Sequence, residues 1–547
     1  NCSYLPVDDP KSFDEAMFIL LCGTGVGFSV ERQFISELPD VPKLFESETT
    51  VVVKDSKEGW AKAFRQVLAL LWAGEIPQWD ISRVRPAGAR LKTFGGRASG
   101  PAPLVDLFNF SITIFKNAQG RKLSSIECHD LMCKIGEVVV MGGVRRSAMI
   151  SLSNLSDDRM RHAKSGAWWD NDPQRALANN SVSYTEKPDS ISFMREWMSL
   201  VESGSGERGI FNRQASKKQA EKYGRRDSNF EFGTNPCSEI ILRPYQFCNL
   251  TEVVVRATDT VKDLERKVTL ATILGTIQAT YTKFSYLRKM WQRNTEEERL
   301  LGVSLTGIMD NPLMTTTNPE LEKTLEKLRK LSVTTNAKWA DRLGIPASTA
   351  ITCVKPSGTV SQLVDSSSGI HARHSDYYIR TVRGDNKDPL TQFMKDQGVP
   401  SEPDVMKPDA TTVFSFPVKS PDNAIVTSDL SAIEQLQIWL AYQRSWCEHK
   451  PSITVNVKKD EWFKVGAFVY EHFDEMSGVS FLPYNEHTYQ QAPYQEVGKS
   501  VYNDLLSLMP KAIDWSKLSV YEEEDNTAGS QTLACSGDVC EIVDIGA

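Results

Sequence analysis

A thiol, a carboxylate and a carboxamide lie within a few residues of one another in the stretch 234–239, Thr-Asn-Pro-Cys-Ser-Glu. The three groups belong to Cys237, Glu239 and Asn235, and a second thiol follows at Cys248. The proline at position 236 disfavours helix at the residue before it, so the stretch is predicted to form an extended or looped tip. Such a tip can present several polar side chains to one bound molecule, which suits chemistry better than packing.

The same residues could also serve packing or hold a metal. Incidental cysteines in a loop would give this pattern, because free cysteine is commonly a small core residue. A structural zinc site usually needs closely spaced cysteine or histidine pairs, which this stretch lacks. The sequence therefore predicts no metal site here, and chemistry and packing remain the alternatives.

Two glycine-containing turns could hold phosphate. The apolar stretch 351–361 is broken by Pro356, Ser357, Gly358 and Thr359, just before Val360. Backbone N–H groups and hydroxyls in such a turn can bind phosphate oxygens, and an ordinary turn is the alternative.

The second turn, at 23–28, lacks the dinucleotide-binding spacing G-x-G-x-x-G. A tight connection from helix to strand explains it, and Gly25 would also allow a nucleotide to approach the backbone closely.

The C-terminal stretch is acidic at 522–525, then rich in Gly and Ser, and it contains Cys535 and Cys540. Tails contribute few core contacts, so a cysteine pair there has little structural purpose. The pair can close a small disulfide ring. Half of a zinc site is the alternative.

Composition limits the function classes. The chain has 547 residues, 40% hydrophobic and 24% charged, with a net charge of −7. These values are ordinary for a soluble globular protein and argue against a general nucleic-acid binder. No run approaches the ~18 apolar residues of a membrane helix, and no signal peptide is recognised. Ten scattered cysteines favour a reducing cytoplasm. Because the chain begins with Asn rather than Met, we expect a fragment or a processed product.

Alternation of strands and helices predicts an α/β fold. Helices are predicted over 124–140, 261–288 and 319–343, and a capping box at 12–15 is predicted to open a further helix. The paired arginines in 142–147 could bind phosphate, or they could be solvated surface residues. The stretch 173–181 is predicted to be a polar loop.

Four separated features together resemble the catalytic chain of ribonucleotide reductases over nearly the whole length. They are Cys2, the 235–239 stretch with Cys248, the 356–359 turn and the Cys535/Cys540 pair. The specific resemblance is to the adenosylcobalamin-dependent class, particularly the monomeric ribonucleoside-triphosphate reductases. Further matching stretches are 142–147, 355–363, 369–371 and 489–493.

The resemblance implies a ten-stranded α/β barrel with a finger loop at its centre. Cys237 would then form the thiyl radical that takes the 3′-hydrogen of the ribose, shielded from solvent. Glu239 would be the general base on the 3′-hydroxyl, and Asn235 would orient the ribose hydroxyls.

The resemblance also implies a path for electrons. Cys2 and Cys248 would supply two electrons and protons as the 2′-hydroxyl leaves as water. Cys535 and Cys540 would reduce the resulting disulfide by thiol exchange, and thioredoxin or a similar protein would recharge them.

Substrate contacts are implied for Asn1, Gly25, Pro236, Ser238 and the residues 356–360. The substrate would be a ribonucleoside triphosphate, with a diphosphate as the alternative, and a deoxynucleotide or ATP would act as allosteric effector. The implied organisation is a monomer with a barrel over 1–520, an effector-binding or insertion region around 75–185, and a redox-active tail over 521–547.

The radical source distinguishes the classes. The glycyl-radical class needs a glycyl segment near the end, where this chain has a cysteine pair. The iron-dependent class relays its radical through adjacent tyrosines, and Tyr377 and Tyr378 come too early for that role. Adenosylcobalamin is therefore the expected cofactor.

Two rival functions are a decayed nucleotide-binding relative and a simple thiol-disulfide oxidoreductase. The intact cysteines and Glu239 argue against the first. The absence of a C-x-x-C motif argues against the second. One departure from the family is that relatives carry a further segment before the position of Cys2, so the sequence predicts an N-terminally incomplete enzyme.

Overall fold

The computed structural model describes residues 2–87, 89, 98–141, 148–405, 407–484 and 490–521. Strands and helices alternate through these ranges, as the sequence predicts. The strands, in chain order, are β1 Cys2–Pro6, β2 Gly25–Ser29, β3 Phe45–Val52, β4 Glu75–Asp80, β5 Met149–Asn154, β6 Asn179–Tyr184, β7 Gly209–Asn212, β8 Gly233–Thr234, β9 Ile241–Leu242, β10 Gln246–Val254, β11 Leu301–Thr306, β12 Tyr377–Asp385, β13 Ser401–Pro403, β14 Thr411–Lys419, β15 Thr454–Val457, β16 Gly478–Pro483 and β17 Tyr494–Glu496.

The helices, in chain order, are α1 Lys11–Leu21, α2 Arg32–Ile35, α3 Lys57–Trp72, α4 Ala102–Asn117, α5 Ser125–Met141, α6 Asp158–Arg161, α7 Trp168–Asn171, α8 Ser190–Ser203, α9 Arg213–Glu221, α10 Val261–Gln278, α11 Lys289–Glu298, α12 Pro319–Leu343, α13 Val360–Val364, α14 Pro389–Asp396, α15 Ala432–Ser445, α16 Trp462–Glu471, α17 Lys499–Leu508 and α18 Leu518–Tyr521. In the described ranges, none of these helices combines the length and the apolar character that crossing a membrane requires.

The central sheet has nine strands in the order β11-β10-β1-β2-β5-β6-β7-β16-β15. Strands β1, β2, β5, β6 and β7 are parallel to one another. Strands β10 and β11 are parallel, as are β15 and β16. The set of five parallel strands meets the other two pairs in antiparallel orientation, through β1 with β10 at one end and β7 with β16 at the other.

A tenth extended segment, residues 350–354, joins the two edges of this sheet. On one side, the Cys353 N–H donates to the Val303 carbonyl of β11 at 3.0 Å. On the other side, the Ser452 N–H, just before β15, donates to the Val354 carbonyl at 2.8 Å. Both pairings are parallel, so each half of the structure contributes five parallel strands. The ten-stranded α/β barrel implied by the resemblance is confirmed.

Apolar side chains fill the space on both faces of the barrel wall. One large cluster packs α1, α3, α4 and α5 onto the first half, and a second packs α10, α12, α15 and α16 onto the other. A smaller cluster lies inside the barrel and includes Cys2, Cys248 and Cys353. The barrel centre is therefore a packed core that contains thiols.

Two smaller units flank the barrel. Strands β3 and β4 form a parallel pair connected by α3, and α4 packs on α3 and α5. A four-stranded sheet in the order β13-β14-β12-β17 lies later in the chain, with α14, α17 and α18 nearby. The 173–181 stretch, predicted as a polar loop, is instead a short 3₁₀ helix followed by β6.

Two local predictions were wrong for one reason. Helix α1 begins after Pro10 without a side-chain cap, so Ser12 does not open a capping box. The predicted helix 261–288 ends at Gln278, and α11 begins only at Lys289. Buried carboxylates of α1 bind the intervening segment, since Tyr286 Oη donates to Asp14 at 2.6 Å and Arg288 pairs with Glu15. These ion pairs and hydrogen bonds override the local helix signals.

Candidate active site

The stretch 234–239 is the tip of a hairpin inside the barrel. Strands β8 and β9 pair in antiparallel orientation, and the Ser238 N–H donates to the Asn235 carbonyl at 2.9 Å. The Asn235 side chain stabilises the turn, since its Oδ1 accepts from the Ile240 N–H at 2.9 Å. Ser238 has a φ of 62°, which is uncommon for a residue with a side chain. The predicted finger loop is confirmed.

Glycines in the barrel wall make room for this hairpin. A Cβ added at Gly27 would lie 1.7 Å from the Thr234 carbonyl oxygen, and one at Gly25 would lie 2.9 Å from Pro236 Cγ. On the opposite half, a Cβ at Gly478 would lie 2.8 Å from Ser238 Oγ. Because contacts this close exclude any larger residue, the finger is held between both halves of the barrel.

Cys2 and Cys248 are direct partners across the antiparallel pair of β1 and β10. Both are buried free thiols. Directly opposed residues of such a pair have Cβ atoms about 5 Å apart, close enough for a disulfide after small adjustments. The fold thus brings together two cysteines that are far apart in sequence.

The finger tip contacts this thiol pair. Asn235 Nδ2 donates a hydrogen bond to Cys2 Sγ at 3.0 Å. The Cys2 thiol in turn donates to Glu239 Oε1, at a distance of 3.7 Å. Burial raises the pKa of Cys2 to about 12, and the nearby Glu239 charge adds to the effect. Burial likewise raises the pKa of Cys248. Both thiols therefore hold their protons at neutral pH.

Cys237 differs from these two cysteines because it is exposed at the tip, which corrects the expectation that this thiol is shielded from solvent. The protein around it still raises its pKa to about 11 by desolvation, with Lys355 opposing and Glu239 adding to that rise. Cys237 is accordingly a protonated thiol that an approaching molecule can reach.

Glu239 is a buried carboxylate with one oxygen bound and one unpartnered. Lys355 Nζ donates to Oε1 at 2.9 Å, whereas Oε2 is buried without a hydrogen-bond partner among the described residues. Burial alone would raise the pKa of Glu239, but the Lys355 charge and hydrogen bonds outweigh burial and hold the pKa below its usual value. An ionised oxygen without a partner can accept a proton from a ligand.

Two lysines complete the site, and neither was predicted from the sequence. Lys450 Nζ is buried and donates to Ser238 Oγ at 3.0 Å and to Thr234 Oγ1 at 3.3 Å. Burial lowers the pKa of Lys450 to about 7. The signal for Lys355 was its place directly before the 356–359 turn. For Lys450, which lies shortly before β15, the sequence analysis contained no signal.

The predicted phosphate turn lies next to the finger tip through Lys355. Gly358, Thr359 and Val360 are exposed, and α13, which begins at Val360, has only five residues. Ser357 is buried and its hydroxyl donates to Glu252. Exposed backbone therefore lies beside the site, on the same segment as a cation.

Several predicted residues lie outside the described residues, so the structure says nothing about them. They are Asn1, the stretch 142–147, Tyr489 of the 489–493 stretch, and the tail cysteines Cys535 and Cys540.

Comparison with known proteins finds similar chains that share one name. Residues 39–114 match the insertion domain of B12-dependent ribonucleotide reductases. The chain is 28% identical to the adenosylcobalamin-dependent ribonucleoside-triphosphate reductase of Lactobacillus gasseri, covering 88% of this chain and 73% of the relative. It is 30% identical to the enzyme of that name from Levilactobacillus brevis, covering 82% and 64%. A Euglena gracilis enzyme of that name is 27% identical, covering 99% and 74%.

A solved structure has the same fold. A B12-dependent, class II, ribonucleotide reductase superposes with a TM-score of 0.81, at 23% identity, covering 96% of this chain and 84% of that one. The barrel of two parallel halves around a cysteine-tipped finger is thus the fold of a ribonucleotide reductase. Taken with the sequence relatives, the chain is similar to the adenosylcobalamin-dependent, class II, ribonucleotide reductases over most of its length.

Proposed function

We propose that this chain reduces ribonucleoside triphosphates to 2′-deoxyribonucleotides by radical chemistry that begins at Cys237. The names of the relatives support the reaction and the triphosphate substrate. The observation that carries the proposal is the finger tip itself. An exposed thiol, a carboxylate with an unpartnered oxygen and a buried thiol pair meet there.

Cys237 and Glu239 would act together on the ribose. A thiyl radical at Cys237 takes the 3′-hydrogen atom, and Glu239 Oε2 accepts the proton of the 3′-hydroxyl. The Asn235 carboxamide is held by its contacts with Cys2 and the Ile240 N–H. Its remaining hydrogen-bonding capacity would orient the ribose hydroxyls.

Cys2 and Cys248 would provide the reducing equivalents. The 2′-hydroxyl leaves as water, and the two thiols give up two electrons and two protons as a disulfide forms between them. A hydrogen atom then returns from Cys237 to C3′, which restores the thiyl radical. The raised pKa of each thiol fits this role, because the proton and the electron are delivered from the same group.

The substrate phosphates would bind the 356–360 turn. Gly358 is exposed, and a Cβ there would meet no atom of the described residues within 4 Å, so the backbone is open to a ligand. Gly25, Pro236 and Ser238 would border the ribose, since Pro236 and Ser238 flank Cys237 and Gly25 lies against Pro236.

The exposure of the residues at the finger tip fits a radical source that is separate from the protein chain. Cys237 is exposed and Ser238 is half-buried, whereas the thiols of Cys2, Cys248 and Cys353 are buried. Cys237 and Ser238 would therefore face the cofactor, and a radical source reaches Cys237 first. When bound, adenosylcobalamin supplies the radical.

The remaining assignments rest on the resemblance. Cys535 and Cys540, on a tail over 521–547, would reduce the Cys2–Cys248 disulfide and be recharged by a thioredoxin-type protein. The barrel over 1–520 would work as a monomer in a reducing compartment such as the cytoplasm. A deoxynucleotide or ATP effector would bind in the region around 75–185.

The deciding experiment measures reduction of CTP and of CDP with adenosylcobalamin and dithiothreitol, for the wild type, Cys237→Ser and Cys22→Ser. We expect deoxycytidine nucleotide from the wild type and Cys22→Ser, and none from Cys237→Ser. Cys22 is the matched control because it is an exposed cysteine outside the site. Faster reduction of CDP than of CTP would overturn the triphosphate assignment, and product from Cys237→Ser would overturn the proposal.

A further inference from the structure

We infer that Lys355 is a positioning residue, which holds one oxygen of Glu239 and links that carboxylate to the 356–359 turn. The inference rests on the proposed function, because it concerns the base that function requires. It adds a residue to which neither the sequence pattern nor the comparisons assign a role.

The contact with Glu239 is direct and sheltered. Lys355 Nζ lies 2.9 Å from Glu239 Oε1, with side-chain exposures of 24% for the lysine and 0% for the glutamate. Among the described residues, Lys355 is the one cation in ion-pair contact with this carboxylate. Because Oε1 is occupied, Oε2 is the carboxylate oxygen left without a hydrogen-bond partner among the described residues.

A chain of hydrogen bonds continues from Lys355 to the turn. The Lys355 N–H donates to Ser304 Oγ at 2.8 Å, and Ser304 Oγ donates to Glu252 Oε1 at 3.3 Å. The Ser357 hydroxyl donates to the same Glu252 oxygen. Lys355 is also covalently joined to Pro356, so the turn is linked to the Lys355 backbone both through hydrogen bonds and through the chain itself.

The charged and titratable groups around Lys355 come from four elements. Glu239 and Cys237 are on the finger, Cys2 is on β1, Glu252 is on β10, and Cys353 is on the tenth barrel segment. Lys450 also contacts the finger, but its ammonium binds the hydroxyls of Ser238 and Thr234 rather than the Glu239 side chain. The two lysines therefore have separate partners.

Removing the Lys355 charge has a predictable sign. The ammonium favours ionised Glu239, so a neutral replacement leaves burial as the dominant effect and raises the pKa of the carboxyl. An opposite charge at this distance typically shifts a pKa by about 1–3 units. The acid limb of kcat/KM should therefore move to higher pH by about that amount, because a protonated Glu239 cannot accept the 3′-hydroxyl proton.

The experiment compares Lys355→Gln, Lys355→Arg and the control Lys267→Gln. Lys267 lies on α10, where it pairs with Asp259 and has the same 24% exposure. We expect K355Q to lower kcat/KM roughly ten- to hundred-fold at neutral pH and to shift the acid limb upward, because proton transfer to a base contributes about 10²–10⁴-fold. K355R should keep most of the wild-type kcat/KM and of the wild-type position of the acid limb. K267Q should change neither kcat/KM nor the acid limb.

A second measurement reads Glu239 without turnover. The infrared difference spectrum between each protein and the same protein carrying Glu239→Gln isolates the carboxyl band of this residue. In the wild type the band should remain that of a carboxylate at about pH 5, where an ordinary glutamate is partly protonated. In K355Q it should become that of a protonated acid at higher pH.

The outcomes distinguish failure of the proposed reductase function from failure of the inference about Lys355. A wild type without reductase activity would defeat the proposed function, while the infrared titration would still test the ion pair. If K355Q failed to fold, a protonated Glu239 in the wild type at about pH 5 would by itself overturn the inference. A K355Q enzyme that loses activity only through KM, with unchanged Glu239 titration, would assign Lys355 to phosphate binding and overturn it as well.

Discussion

The two sides of the finger tip offer the substrate different chemistry. On one side, β1 and β10 place Cys2 and Cys248 opposite each other, with Asn235 bound to the first thiol. On the other side, the tenth barrel segment and the residues before β15 place Lys355 and Lys450 against the finger. The thiol side is neutral at physiological pH, whereas the lysine side carries charge.

This difference divides the proposed reaction into two tasks. Burial raises the pKa of both thiols because an ionised thiolate is unfavourable away from water. Both thiols therefore stay protonated and can transfer hydrogen. The lysine side controls the charge of the base, since Lys355 counters the effect of burial on Glu239. Reducing power and acid–base control are thus held on opposite sides of the finger.

Breaking the thiol side should have the largest effect. We expect Cys248→Ser to lower sustained turnover about a thousand-fold or more, because a dithiol acts as a unit and a single thiol cannot form the disulfide. Urea unfolding should show a stable, folded protein. The sustained turnover of Cys2→Ser should equal that of Cys248→Ser within error. Sustained turnover by either variant at a tenth of the wild-type rate would contradict the assignment.

Shifting the finger between the two sides should have an intermediate effect. In Gly27→Ala the new Cβ would overlap the Thr234 carbonyl, which stands 1.7 Å away, so the hairpin must move. We expect a loss of about 1–3 kcal/mol of unfolding free energy and a roughly hundred-fold fall in kcat. The measurements are urea unfolding and steady-state kinetics.

Gly498→Ala is the matched control for that variant, since nothing lies within 4 Å of its added Cβ. It should change stability by no more than about 0.5 kcal/mol. Equal stability of the two alanine variants would show that the barrel wall does not hold the finger tightly.

The smallest effect concerns the lysine side and depends on pH. The pKa of Lys450 is about 7 in the folded chain and 10.5 when unperturbed, because burial opposes its charge. Above about pH 7 the unfolded chain binds the extra proton, so folded stability rises with pH. We expect the wild type to gain about 1.4 kcal/mol per pH unit relative to Lys450→Met between about pH 7 and 9.

Urea unfolding of both proteins across that range checks this prediction. At and below pH 7 the methionine variant should be the more stable, because the wild type then buries an ammonium charge that has no carboxylate partner among the described residues. A stability difference that does not change with pH would mean that Lys450 keeps an ordinary pKa, and the contrast between the two sides would weaken.

Much of the local structure could be predicted from sequence because its signals are local. Asn318, Pro319 and Gly344 mark the start and end of α12, which spans the predicted 319–343. Pro236 correctly indicated a loop at the finger tip. By contrast, the segment 279–288 looked helical but is held by Asp14 and Glu15, which lie far away in the chain.

The sequence by itself determined which reactive groups lie together at the finger tip, because Asn235, Cys237 and Glu239 are neighbours in the chain. Only the tertiary structure decided how those groups are paired. Cys2 meets Cys248 through strand register, and Lys355 reaches Glu239 through closure of the barrel. Register and closure depend on contacts between distant segments, and burial in that closed barrel is what shifts the pKa values on which the proposed chemistry depends.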